Sequence, residues 1–320
     1  MNNAKPVVSI QHVPFFLVFL LAISPLSTLC EGEITQGFDF LQHLQGCHKG
    51  QTVAGLHEVK TYLKKFGYGT AQDDLSEHAR DDDFDEVLES QIRTYQLNYH
   101  LDPTGTLDAQ TVRQMMTPRC GCKDTIRGAI PARSWNGKHS TDGGQRSRID
   151  LNVSDFTFFP GAPRWSKTEL TYGYSSSASD IDAGTFTDVV ESALAKWAAV
   201  SGFSFEEASS TDSDVVLGVH RYEHGDGAPF DGKGGVLAHA FAPSIGWCHF
   251  DADENWSTNP GPREFDLETA TIHEMGHVLG LGHSYEPNAI MYPYIPPGTE
   301  KRDLHENDIQ GIQALYSLST

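Results

Sequence analysis

Apolar residues fall at three- and four-residue intervals through Leu56, Val59, Leu63 and Phe66, which predicts a helix that Gly67 and Gly69 close. The same spacing returns between Phe84 and Leu97, with Phe84, Val87, Leu88, Ile92 and Tyr95 on one side of a second helix. Asp102-Pro103-Thr104-Gly105 reads as a turn, and Thr106 as the cap of a third helix whose Leu107, Val112 and Met115 face inward before Pro118. The acidic runs Asp73-Asp74 and Asp81-Asp82-Asp83 mark an exposed loop. Residues 31–117 thus predict a small three-helix bundle with no catalytic grouping.

Periodicity disappears over residues 125–149, where Gly, Ser, Arg and Lys predominate and an exposed, cleavable linker is expected. From Trp165 strand and helix patterns alternate. Leu170–Tyr174, Phe203–Phe205 and Val215–Val219 read as strands. Phe186 to Val200 reads as a long helix burying Val189, Val190, Leu194 and Trp197, and Asp308 to Tyr316 as a closing amphipathic helix. The expectation for this half is an α+β (mixed α/β) domain, a sheet covered by helices.

The start of the chain alters the picture of its location. Lys5 and the short apolar run from Phe15 to Ile23, followed by Pro25, predict an export signal cut after Cys30. No second apolar segment follows, and the tail Leu315–Thr320 is too short and polar for an anchor signal, so a secreted chain without a membrane anchor is expected. With 320 residues there is room for about two domains, and a net charge of −20 excludes nucleic acid as a partner. A monomer is expected. Export makes disulfides permissible among Cys47, Cys120, Cys122 and Cys248, for example Cys47 with Cys122. A bond between Cys120 and Cys122 would be strained. Asn152 and Asn255 each begin a glycosylation triplet.

The chemistry is concentrated in His273-Glu274-Met275-Gly276-His277-Val278-Leu279-Gly280-Leu281-Gly282-His283. On a helix, His273 and His277 lie one turn apart on one face, and Glu274 sits beside the first. His283 would point away from them on a continuing helix, so the chain must leave the helix first, and Gly280 and Gly282 permit that exit. Three imidazoles and a carboxylate so placed can hold a catalytic zinc and activate a water. Upstream, His224, Asp226, His239 and His249 make a complete tetrahedral set for a structural zinc. Between and after them, Asp231, the Gly-rich turn through Gly234, Asp251 and Glu254 offer the oxygens that calcium prefers. The Cys120 thiol is a soft ligand that can occupy the position a water needs. Met291 can form an apolar base beneath the metal.

Together these residues resemble the matrixins, the matrix metalloproteinase branch of the metzincins, and in particular its short, plant-type members. His273–His283 with Ser284 and Met291 match the catalytic pattern and its methionine turn, and Pro118-Arg119-Cys120-Gly121 with Asp124 resembles the cysteine switch. The resemblance implies two zinc ions and at least one calcium. Asp231, Gly232, Gly234, Val236, Asp251 and Glu254 would hold the calcium, some through backbone carbonyls. It implies a twisted five-stranded sheet with three helices, preceded by a latency segment, giving 1–30 as signal, 31–148 as propeptide and 149–320 as catalytic domain. An extended peptide substrate would lie along Val236, Ala238 and Ala240, facing Pro293 and Tyr294, with Thr269 setting the depth of an open pocket. Latency also implies an activating protease as a partner. The switch here continues with Cys122-Lys123 where the family has a small or polar residue and proline. Trp247 replaces an aspartate expected for a second calcium, and a hemopexin-like domain is not expected. A catalytically silent zinc binder and a metzincin acting on a cell-wall component are the competing expectations.

Overall fold

The computed structural model describes Met1 and residues 37–69, 80–124, 155–175, 181–208 and 212–316. The export signal, Asp73-Asp74, the linker and Asn152 lie outside the described residues. Contacts divide the chain into Met1–Glu33 and a unit Ile34–Thr320, to which everything below belongs.

Among the described residues, three α-helices form in the first half: α1 (Leu56–Lys65), α2 (Glu86–Asn98) and α3 (Ala109–Met116). A short 3-10 turn at Asp39–Leu44 precedes them. The second helix faces inward with Leu88, Ile92 and Tyr95, but Val87 is 41% exposed rather than buried. It lies in the first turn of that helix. Asp108, not Thr106, caps the third helix, accepting from the amides of Gln110 and Thr111. Leu107 is buried just outside that helix. Asp82 is no idle loop charge: its carboxylate accepts from the amides of Gly55 and His57 at the start of α1.

The second half holds a five-stranded sheet in the order β2-β1-β3-β5-β4, from β1 (Glu169–Tyr174), β2 (Ser204–Glu207), β3 (Val215–His220), β4 (Ala238–Ala240) and β5 (Trp247–Asp251). Only the edge strand β4 runs antiparallel. A small ladder joins β6 (Trp256–Ser257) to β7 (Phe265–Asp266). Parallel strands are covered on both faces and so read as unbroken apolar runs, as Val215–Val219 does. Three α-helices accompany them among the described residues: α4 (Ala183–Val200), α5 (Leu267–Val278) and α6 (Glu306–Tyr316). Nearly every residue of α5 is buried. Two indoles fix its position, Trp197 donating to the Ile272 carbonyl and Trp165 to that of Val278, both at 2.9 Å.

The bundle packs onto the sheet domain through a tyrosine-rich core. Tyr62, Tyr95 and Tyr99 meet Tyr285 and Tyr294 there, and the Tyr95 and Tyr294 hydroxyls are 2.6 Å apart. Among the described residues, no helix is long and apolar enough to cross a membrane.

Candidate metal centre and active-site cleft

Helix α5 ends at Val278, and Gly280 turns the chain out at φ 101°. A side chain there would be strained and would also strike the Pro163 carbonyl at 2.5 Å. That exit returns His283 to the other two imidazoles. Each ring is oriented by an oxygen at its Nδ1: the Ile290 carbonyl for His273 at 2.7 Å, the Leu281 carbonyl for His277 at 2.8 Å, and the Asp124 carboxylate for His283 at 2.7 Å. Such partners fix the tautomer and leave Nε2 as the free donor atom. The Nε2 atoms of His273 and His283 are buried without a hydrogen-bond partner, as are both oxygens of Glu274.

The Cys120 thiol completes the group. One ligand atom from each of Cys120, His273, His277 and His283 lies within 4.8 Å of the others, and Sγ is 3.4 Å from His277 Nε2. Donors about 2.0–2.3 Å from a tetrahedral zinc stand about 3.5 Å apart, so the set fits that ion. Burial lowers His273 and His283, the latter to about 4, which keeps them neutral as ligands must be. Burial also works against a charged His277, but Cys122 and Glu274 beside it outweigh that and hold it at about 9. Burial pushes Glu274 up to about 8.

Cys120 arrives on a segment hydrogen-bonded on both sides. The Arg119 amide donates to Gly235 and the Leu237 amide to Arg119, while Gly121 donates to Ala238 and Cys120 to Pro293. These are the neighbourhoods expected to receive substrate, and Ala240 likewise accepts from the Cys122 thiol at 3.2 Å. The edge strand is therefore covered. Arg119 is itself fully buried, 3.8 Å from the Phe66 ring centre and paired with Asp124 at 2.6 Å. Asp124 also accepts from the hydroxyls of Tyr68 and Tyr99. Thr269 and Tyr294 line a cavity of about 350 Å³ together with Ile295 and Lys301, and Gln114 and Thr117 of the bundle reach its side.

A second cluster forms on the far side of the sheet edge. His239 and His249 sit directly opposite each other on β4 and β5, and the loop after β3 adds His224 and Asp226. Asp226 Oδ2 lies 2.7–2.8 Å from a ring nitrogen of all three histidines. The oxygen set is looser. Asp231 Oδ1 accepts from the Val236 amide and Glu254 Oε1 from Gly234, while Asp251 Oδ2 and Glu254 Oε2 are buried without partners. Burial raises Asp251 to about 6 and Glu254 to about 8, with neighbouring carboxylates adding to the shift. Gly232 and Gly234 hold left-handed angles in the intervening turn.

Residues 164–317 match the matrixin family, and residues 52–115 match a family described as a putative peptidoglycan binding domain. Metalloendoproteinase 1 of Glycine max is 40% identical over 328 residues, covering 99% of this chain and 98% of that protein. The chain belongs to the matrixin family. Metalloendoproteinase 2-MMP of Arabidopsis thaliana is 38% identical over 87% of the chain and 75% of its own length. Stromelysin-1 of Mus musculus is 33% identical over 83% of the chain but only 50% of its own length. Like other matrixins this one is a zinc-dependent metalloendopeptidase.

In this matrixin the four described cysteines are all free thiols. The pairing of Cys47 with Cys122 is thus not made, because Cys122 points to the cleft and Cys47 lies in the bundle core. Cys248 is buried on β5, where burial pushes its thiol well up. Met291 packs under α5 where Gly276 leaves room; an added Cβ would meet its Sδ at 2.2 Å. Sequence reasoning overlooked Asp308, whose carboxylate accepts from the Ile290 and Met291 amides and so holds the turn under the histidines. It also overlooked Thr157, which donates to the His283 carbonyl while its own carbonyl accepts from Gly282. An acid in the first turn of the last helix was the sequence signal for the first; nothing local marks the second.

Proposed function

We propose that this chain is a secreted endopeptidase made in latent form, with 1–30 as signal, 31–148 as propeptide and 149–320 as catalytic domain. The observation that carries the reading is the Cys120 thiol among His273, His277 and His283, on a segment that fills the cleft where substrate would lie. The three imidazoles would hold the catalytic zinc, with Cys120 as fourth ligand until the propeptide leaves. Bound zinc supplies Lewis acidity towards water and the scissile carbonyl. Glu274 would take the proton of the attacking water and return it to the departing amine, a role open to a buried carboxylate whose two oxygens make no other hydrogen bond. An extended peptide would replace residues 119–121 against Val236, Ala238 and Ala240 on one side and Pro293 and Tyr294 on the other. The cavity beside Thr269 suits a Leu-like or larger side chain, since threonine leaves it open. His224, Asp226, His239 and His249 would hold a structural zinc. Asp231, Gly232, Gly234, Val236, Asp251 and Glu254 would hold a calcium that neutralises the crowded carboxylates. Asn255 is exposed, as a glycan acceptor must be.

The test is cleavage of a quenched peptide by the full chain before and after a thiol-reactive mercurial. Activity should appear only afterwards and vanish with a zinc chelator; constant activity would sink the latency reading. The match of 52–115 to a peptidoglycan-binding description supports a second reading, a cell-wall substrate. Retention of the full chain on purified peptidoglycan, followed by release of soluble fragments after activation, would favour it.

A further inference from the structure

A second donor set overlaps the first. Cys120, Cys122, Glu274 and His277, all buried, each place one ligand atom within 4.8 Å of the others. The two thiols reach the same side of the cleft because Gly121 lies between them. A Cβ there would meet Val236 Cγ1 at 2.8 Å, so glycine lets the segment lie this close to the edge of the sheet. The Cys122 amide donates to Cys120 Sγ at 3.3 Å, while the Cys122 thiol donates to the Ala240 carbonyl at 3.2 Å. Beside them both Glu274 oxygens are buried and unpartnered. A Cys-x-Cys pair is too strained to close a disulfide readily, so both thiols stay available to a metal.

We propose that Cys122 is a second thiolate ligand of the latent cleft. A thiophilic cation there is bound by Cys120, Cys122 and His277, not by one thiolate alone. Soft thiolate pairs select soft cations, and each thiol that binds gives up its proton to solvent. The proposal rests on the reading that this cleft holds a metal ion. It makes the latent form a tighter trap for soft ions than a single-cysteine switch would be.

The experiment uses the full uncut chain, stripped of metal and loaded with two equivalents of cadmium. The second equivalent fills the set His224, Asp226, His239 and His249, which has no sulfur and gives no thiolate-to-cadmium absorption. Wild type should show roughly twice the thiolate-to-cadmium absorption of either Cys122→Ser or Cys120→Ser. Cys122→Ser should also lose cadmium to a competing chelator about tenfold more readily. Cys47 and Cys248 remain in every variant and cancel. Cys122→Ala, checked by circular dichroism for an intact fold, should behave as Cys122→Ser does. Equal absorption in wild type and Cys122→Ser overturns the proposal while leaving the zinc reading intact. No cadmium-thiolate absorption in wild type overturns both.

Discussion

Glu274 sits fully buried with neither oxygen hydrogen-bonded, an arrangement that costs stability and points to a functional role. Replacing it by glutamine should lower turnover of a peptide by about 10²–10⁴-fold with zinc content unchanged, measured by peptide hydrolysis and metal analysis of the same sample. Arg119 is the opposite case, a buried cation that does no chemistry. Its guanidinium packs on Phe66 and is neutralised by Asp124. Asp124→Asn would leave that charge unpaired and should destabilise the uncut chain by about 3–5 kcal/mol, visible in its denaturant midpoint. The same variant should also hydrolyse peptide without cleavage. The metal-ligand pattern was legible in the sequence because its spacing is geometric. The orienting carboxylate of His283 was not, since Asp124 comes from 159 residues away.

At the level of elements, the helices read most clearly where one face is apolar, as in α1 and α4. Helix α5 has no such stripe, being buried all round, and was recognisable only through its histidines. The cap of α3 was misplaced because Thr106 and Asp108 are both capping types and only the amides decide between them. Seven of the chain's eleven tyrosines line the seam between bundle and sheet domain, yet a tyrosine's partner cannot be read from its neighbours in sequence. Gly276→Ala should destabilise by about 1–3 kcal/mol in thermal unfolding, because the new methyl enters the Met291 sulfur. The clustered carboxylates of Asp231, Asp251 and Glu254 make a pH prediction. The folded-state values of Asp251 and Glu254, about 6 and about 8, lie above those of an unfolded chain. Their contribution is therefore present at low pH and lost as pH rises towards about 8. Calcium-free protein should melt at lower temperature at pH 8.5 than at pH 5.5 (about three units of rise), and added calcium should reverse the order.

For the whole molecule, the proposed latency would rest on contacts that residues 119–121 and the bundle make among the described residues. Cutting the chain within 125–154 would leave Arg119 buried and residues 119–121 bonded to both sides of the cleft. Nicked protein should therefore stay inactive and elute as one species, gaining activity only as the bundle dissociates on dilution; size exclusion with parallel peptide assays would show this. Thr157 and its neighbours stay behind, pinned to Gly282 and His283. On the proposed activation Asp124 would leave with the bundle, and it is one carboxylate serving two masters: the guanidinium that seats the bundle and the imidazole of the third histidine. Opening the cleft thus strips the third histidine of its orienting partner at the moment the thiol departs. Custody of the ion and silence of the enzyme are then a single property. A chelator should remove zinc about 10–100-fold faster from the opened form than from the uncut chain.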